Sequence, residues 1–223
     1  MQAAVYESFG GKITVQTVDK PRADEGSIVV KIKACGVCRS DWHGWKGHDG
    51  DIKGHGLPFV PGHEFSGLVS EVGEGVERLK VGDRVHVPFI LSCGECRECT
   101  RGRATICEDQ KQPGFTQWGS FAEFVRVPRA DRNVHLLPEK VSFEAAASLG
   151  CRFTTAYRAV VQQGKLKRGQ TVIVFGCGGV GLSCVAVAVA GGARVIAVDT
   201  SSDALTMAKQ QGASDVVQVF FLI

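Results

Sequence analysis

The chain has 223 residues, 44% of them hydrophobic and 22% charged, with a formal net charge of +3. That balance is ordinary for a globular fold with a core, and so small and evenly spread a charge argues against a nucleic-acid partner. The start, MQAAVYESFG, lacks a basic region followed by an apolar run, and the most apolar stretch, around VGLSCVAVAVAGG, is too short to span a bilayer. No signal peptide, no membrane partner and a cytoplasmic location are therefore expected. In such a reducing compartment, nine cysteines read as metal ligands and core thiols rather than disulfides.

In chain order, TVQTV, SIVVKIKA, FSGLVSEVG, DRVHVPFI and FAEFVRVP read as strands, short alternating segments broken by glycine. Gly82-Asp83 marks a turn between two of them. Residues 1–150 are thus expected to form a β-rich domain whose long connections carry most of the cysteines and histidines. The texture changes near residue 142. SFEAAASLGCRFTTAYRAVVQQG predicts one or two helices opening at Ser142, with Ala145 giving only half a capping box. TVIVF is a continuous apolar run suited to a buried parallel strand. GCGGVG, the small-residue helix LSCVAVAVA and the strand RVIAV ending in Asp199 follow. SSDALTMAKQQG predicts an amphipathic helix with a serine cap and a glycine stop, and SDVVQVF a third strand. Residues 151–223 therefore predict a β-α-β-α-β unit, and the chain as a whole an α/β and β fold class.

Gly176, Gly178 and Gly181, with Gly179 and Val180 between them, form G-x-G-x-x-G between a predicted strand and a predicted helix. In that context the first glycine permits a tight turn, the second lets backbone approach a pyrophosphate, and the third lets helix and strand pack closely. Asp199 follows about 20 residues on, where a carboxylate accepts hydrogen bonds from ribose hydroxyls and repels a 2′-phosphate. NAD is expected over NADP.

Cys93, Cys96, Cys99 and Cys107 form a C-x2-C-x2-C-x7-C array. Four thiolates close a tetrahedron round one zinc ion and leave no position open for chemistry. An iron–sulfur cluster would want a fourth cysteine three residues after the third, then proline; here the gap is seven and Glu108 follows. The loop has almost nothing apolar to bury, so a metal is what would order it. Cys38, His63 with Glu64, and Cys151 are a second set of candidate ligands. Two thiolates and an imidazole would leave zinc one open position. Read alone, the same residues serve equally well as core thiols and a satisfied imidazole, and Cys35-x-x-Cys38 as a redox pair or half a zinc knuckle.

GVCRSDWHGW, PGHEFSGLVSEVGEGV, VGDRV, CGECRECTRGRATIC, LGCRFTTA and VFGCGGVGL occur in this order across nearly the whole chain. In them the chain resembles the zinc-dependent alcohol dehydrogenases of the medium-chain dehydrogenase family. The resemblance implies a GroES-like catalytic domain over 1–150, with a structural zinc lobe near 90–110, and a Rossmann NAD-binding domain over 151–223, incomplete in this sequence. It implies one catalytic zinc on Cys38, His63 and Cys151 with Glu64 beside it, and one structural zinc on the four-cysteine array. It further implies Ser40 and His43 as a proton relay and Asp41 as the residue that orients His63. Arg39 matches a pyrophosphate contact, Thr155 a nicotinamide contact, and Trp45 and Phe89 pocket walls; Trp42 and Trp118 suit either wall or core. Arg152 departs from the glycine many relatives carry, and Ala204 from a cofactor lysine.

The implied activity is interconversion of a small alcohol and an aldehyde or ketone with NAD. A polyol dehydrogenase is an alternative; a zinc-free quinone reductase is disfavoured by the two ligand sets. The family's chains are longer, with six strands in the dinucleotide fold, whereas three are predicted here. That leaves TVIVF as an edge strand and the end VFFLI apolar where a loop is expected. A truncated or spliced product, a frame error, or completion by a partner chain are the readings, and a non-catalytic zinc-binding remnant or interaction module is the alternative function. Homo-oligomerisation is expected only with the full-length fold.

Overall fold

A computed structural model describes residues 1–220; the expectation for the apolar end falls, for Phe221, Leu222 and Ile223, outside the described residues. Two compact units are present, Met1–Cys151 and Arg152–Ile223.

In the first unit, β1 (Gln2–Tyr6) pairs antiparallel with β2 (Ile13–Thr17). β3 (Ile28–Gly36) leads into helix α1 (Arg39–Trp45) and then α2 (Gly50–His55). β4 (Glu64–Val72) and β5 (Arg84–Val87) follow, then the short helix α3 (Arg97–Thr100), β6 (Phe124–Val127), α4 (Ala130–Asn133), the two-residue β7 (His135–Leu136) and α5 (Phe143–Ser148). Five strands form one antiparallel sheet in the order β6-β3-β4-β5-β7. Ile28, Val30, Phe65, Val69, Val85, Val87, Val125 and Val127 form its core, the β-branched residues suiting a pleated, buried face. The five strands expected here are present to within a few residues. β1, β7 and the helices α1 and α2 emerge only in the structure, and α1 and α2 lie in one of the long connections, between β3 and β4. Asp49 caps α2, its Oδ1 accepting from the Asp51 and Ile52 N–H groups at 3.0 and 3.1 Å.

His86 on β5 lies between Ser66 on β4 and His135 on β7. Burial first, and the neighbouring His135 second, lower its pKa to about 4. An unfolded chain binds a proton near the ordinary value of about 6.5 while the folded one does not. This group's contribution is therefore complete above about pH 6.5 and lost as pH falls toward 4. The loss is about 3 kcal/mol at most. Urea unfolding at pH 7 and pH 4.5 is expected to show a steeper acid loss for the wild type than for His86→Gln.

The second unit contains α6 (Thr154–Tyr157), β8 (Thr171–Phe175), α7 (Gly179–Ala190), β9 (Arg194–Asp199), α8 (Ser202–Gln210) and β10 (Asp215–Gln218). The strands are parallel in the order β10-β9-β8. This is the first half of a doubly wound dinucleotide fold, and the fold class expected from sequence is the one observed. Val174, Val185, Ala188, Val195, Ala197 and Leu205 form its core. Ser201 caps α8 through the Ala204 N–H at 3.3 Å, and Gly212, at φ 99°, ends it as the glycine stop predicts. β8 is an edge strand among the described residues, with Ile173 53% and Phe175 78% exposed. No helix of the described residues is long and apolar enough to cross a membrane.

Candidate functional site

The first unit carries two metal-type clusters. Ligand atoms of Cys38, His63, Glu64 and Cys151 all lie within 4.8 Å of one another, and so do those of Cys93, Cys96, Cys99 and Cys107.

Three elements deliver the four residues of the first cluster. Cys38 precedes α1 as its N-cap, His63 precedes β4 and Glu64 opens it. Cys151 sits in a π-helical turn, Leu149–Phe153, a local widening common at functional sites. α5 packs against β3 and β4, where the Ser66 hydroxyl donates to the Phe143 carbonyl at 2.6 Å, fixing the turn that follows. Asp41 ties two of the donors together. Its Oδ1 accepts from the Gly62 N–H at 3.0 Å and lies 3.1 Å from His63 Nδ1; its Oδ2 accepts from the Cys38 N–H at 2.9 Å.

With Nδ1 so engaged, His63 Nε2 is buried and has no hydrogen-bond acceptor of the ordinary kind; the group that faces it is the Cys38 sulfur. Burial alone would lower the His63 pKa, but the Asp41 bond and the charge of Cys38 outweigh it and raise it to about 9. Cys38 is lowered to about 3, first by the hydrogen bond from Cys151 against the cost of burial, then by His63 and by the Ser40 N–H and hydroxyl. Cys151 is pushed the other way, foremost by sharing its proton with Cys38 and then by burial. The pair therefore holds one proton between two sulfurs. Two sulfurs, an imidazole nitrogen and a carboxylate suit a borderline divalent ion such as zinc, whose capture expels such protons.

Cys35 stands outside the cluster. Its thiol meets the Ser120 hydroxyl at 2.8 Å, and burial pushes its pKa up to about 12, so it stays protonated and is a poor redox partner for Cys38.

In the second cluster, the sulfur separations of 3.5 Å (Cys93–Cys107), 3.8 Å (Cys96–Cys107) and 3.9 Å (Cys93–Cys99) bracket the ~3.8 Å edge of a tetrahedron with ~2.3 Å zinc–sulfur bonds. Backbone N–H groups point at the sulfurs: Cys93 N–H at Cys107 (3.2 Å) and Cys96 N–H at Cys93 (3.3 Å). Such donors hold the Cys96 thiol down to about 6, the Cys99 and Glu108 backbones foremost, while burial takes Cys107 to about 11. Arg97, Arg101 and Arg103 converge on the buried Glu98 at 3.1, 3.8 and 3.5 Å, a belt of positive charge suited to a dianionic metal–thiolate centre.

Sequence reasoning missed the glycines that make room for Glu64. A Cβ at Gly36 would lie 2.2 Å from Glu64 Oε2, and one at Gly150 2.9 Å from Glu64 Cα. A full burial of Glu64 thus depends on two residues without side chains. Phe115 and Phe89 pack their rings 5.0 and 6.4 Å from that of His63. Trp45 belongs to a core cluster with Tyr6, Ile52 and Phe59, and its Nε1 donates to the Gly11 carbonyl at 2.7 Å. Trp118 packs against the same cluster. His43 is exposed on α1, and Arg39 stacks over the Trp42 ring at 4.2 Å.

The second unit carries the glycine loop, and its glycines are there for different reasons. Gly176 has φ 84°, which a residue with a side chain rarely adopts. A Cβ at Gly181 would lie 1.7 Å from the Gly176 carbonyl. Gly178 has φ −74°, and its Cβ would meet nothing within 4 Å. Neither backbone strain nor internal packing explains that residue, which stands at the N-cap of α7. The Asp199 carboxylate accepts from the Cys177 N–H at 2.5 Å and the Ser201 N–H at 2.8 Å, which holds its pKa below the usual carboxylate range. Thr155 is exposed on α6. Gly181→Ala is expected to force α7 from the loop, at a cost of about 1–3 kcal/mol in thermal unfolding.

In chain order, a β-rich unit carrying two cysteine-bearing clusters of metal-ligand type precedes the first half of a dinucleotide fold. Residues 24–139 match the alcohol dehydrogenase GroES-like domain, and the chain belongs to that family. It is 44% identical over 218 residues to an alcohol dehydrogenase of Geobacillus stearothermophilus, covering 97% of this chain and 63% of that one. A solved NAD-dependent alcohol dehydrogenase superposes with TM-score 0.89 at 34% identity, over 98% of this chain and 63% of that one. A zinc-binding dehydrogenase of Sinorhizobium meliloti 1021 bound to NADP gives TM-score 0.85 at 31% identity, over 97% and 61%. The chain thus spans about 63% of the length of such relatives.

Proposed function

We propose that the chain serves a zinc- and NAD-dependent oxidoreductase that interconverts an alcohol with an aldehyde or ketone. The observation that carries this reading is the convergence of Cys38, His63, Glu64 and Cys151 round a buried His63 Nε2 that faces the Cys38 sulfur. Cys38, His63 and Cys151 would hold a catalytic zinc with Glu64 beside it, and Cys93, Cys96, Cys99 and Cys107 a structural one. A zinc ion held there would supply Lewis acidity that eases loss of an alcohol proton near neutral pH, and a nicotinamide would supply the hydride acceptor. Ser40, whose hydroxyl points at the Cys38 sulfur, accepts the proton, and the exposed His43 delivers it to water. Asp41 holds His63 in one tautomer.

Gly176, Gly178, Gly179, Val180 and Gly181 would receive the diphosphate, and the family resemblance gives Arg39 and Thr155 as further cofactor contacts. Asp199 favours NAD, because it stays ionised and would repel a 2′-phosphate. Two solved relatives carry different dinucleotides by name, so this preference rests on Asp199 itself. Gly178→Ala separates binding from folding. It is expected to leave thermal stability within about 0.5 kcal/mol, since the gain from a less flexible unfolded chain offsets the loss of a glycine N-cap, yet to abolish NADH binding measured by fluorescence.

A second reading is a zinc-binding module without turnover, favoured by the open β8 edge with Ile173 and Phe175 exposed. Metal analysis with alcohol-dependent NAD reduction decides between them. Two zinc ions per chain, turnover with an alcohol, and loss of one ion together with turnover in Cys38→Ser support the enzyme. Two ions with no turnover on any simple alcohol or polyol support the module.

A further inference from the structure

His43 and His48 lie outside both cysteine clusters, and no role above uses His48. His43 sits on α1, and His48 lies between α1 and α2. Both side chains are exposed. Their Nδ1 atoms face each other at 3.4 Å. This is long for a hydrogen bond, where N–H donors sit at about 2.7–3.2 Å. It matches the chord between two ligands of a tetrahedral ion: two nitrogens each ~2.0–2.1 Å from zinc lie ~3.3–3.4 Å apart.

The pair is also held in place. The His48 N–H donates to the His43 carbonyl at 2.9 Å, which fixes the backbone between them. Trp42 packs edge-on against both rings, at 5.0 Å and 75° for His43 and at 5.8 Å and 79° for His48. One indole therefore braces two imidazoles that point nitrogen to nitrogen. The charged neighbours are Arg39, stacked 4.2 Å over Trp42, and Asp49, which follows His48 and whose Oδ1 is engaged in capping α2. The guanidinium's place on the indole gives it a partner of its own.

We propose that His43 and His48 form a third divalent-metal site, a two-imidazole clamp on the surface of the first unit that takes zinc or a similar borderline ion, with water completing the coordination. Imidazole nitrogens select such ions over magnesium or calcium, which prefer oxygen. Exposure leaves room for the water ligands, and two neutral donors make the site weaker than either cysteine cluster. It would fill last and empty first. Binding here needs no turnover. Inhibition by the bound ion does, and rests on the relay role proposed for His43, since an imidazole that holds a metal no longer passes a proton freely.

The test uses the full chain with both cysteine clusters zinc-filled, titrated with Zn2+ in a calorimeter, and with Mg2+ as control. One additional Zn2+ is expected, with its affinity reduced about tenfold or more in His48→Gln and in His43→Gln, the loss of one of two ligands. His55→Gln, which changes an exposed histidine elsewhere, is expected to behave as the wild type. No additional ion, or an additional ion bound equally by His48→Gln, overturns the proposal and leaves the pair as neighbouring side chains. A chain that fails to load its cysteine clusters would count against the function proposed above, but the difference between wild type and His48→Gln would still decide this site.

Discussion

Cys99→Ser is expected to remove one of two zinc ions and to unravel residues 93–107 while the five-stranded sheet stays folded. The loop has little else to order it. Cys99 and Cys107 are its buried apolar side chains, at 7% and 5% exposure, and Ile106 is 54% exposed. Its remaining order comes from N–H groups aimed at sulfur and from arginines gathered on Glu98. Arg97, Arg101 and Arg103 are each well exposed, so their ion pairs contribute about 0–1 kcal/mol apiece. Structural zinc in small sites contributes about 10–16 kcal/mol of binding free energy at neutral pH. A zinc ion on the four cysteines would thus outweigh the loop's ion pairs several-fold. The measurement is zinc per chain together with trypsin cleavage, for which the three arginines are reporters. One ion and rapid cleavage confined to the loop are expected. A variant that keeps two ions and wild-type resistance would show that packing orders the lobe.

How much of this was legible in the sequence varies with the physics of each part. The strands of the sheet were legible because they alternate: the valines of Arg84–Val87 fall on one buried face and Arg84 and His86 on the other. The glycine loop was legible because its spacing encodes backbone demands, two of which the structure shows: the positive φ at Gly176 and the close approach at Gly181. The four-cysteine lobe was legible because its ligands are close in sequence.

The helices α1 and α2 were not. α1 is only seven residues and contains Gly44, where a Cβ would strike Ile52 at 2.4 Å; a short helix with an internal glycine shows no apolar period. The burial of Glu64 was hidden too, since the room for it is made by Gly36 and Gly150, far apart in the chain and silent in any local pattern. Trp45, a pocket wall by the family resemblance, packs against Tyr6, Ile52 and Phe59, and the sequence does not announce that meeting because its partners come from other parts of the chain. The facing of His43 and His48 likewise depends on a turn and on Trp42, and had no signal beyond the two letters themselves.

Asp41→Asn is expected to weaken zinc binding at the Cys38, His63 and Cys151 cluster about 10–100-fold, the range seen when a partner behind a metal ligand is lost. The native carboxylate, 6% exposed, is an acceptor on both oxygens. One oxygen serves the Gly62 N–H and His63 Nδ1, the other the Cys38 N–H. An amide supplies one acceptor and one donor. Either orientation sets its NH2 against an N–H, at the Cys38 backbone or at the Gly62 and His63 pair, and a buried donor without an acceptor costs about 1–3 kcal/mol. The substitution keeps the volume, so the sheet should unfold at nearly the wild-type temperature. The negative charge that favours a protonated Nδ1, and so a free Nε2, is also gone. Competition against a chromophoric chelator reads both clusters in one experiment, because Asp41 touches no residue of the four-cysteine cluster and an ion held there would serve as the internal standard. The variant should lose its first ion at a lower chelator concentration and its second as the wild type does. Equal release of both ions by wild type and variant would mean that Asp41 merely closes the start of α1, and that the three ligands hold their geometry without it.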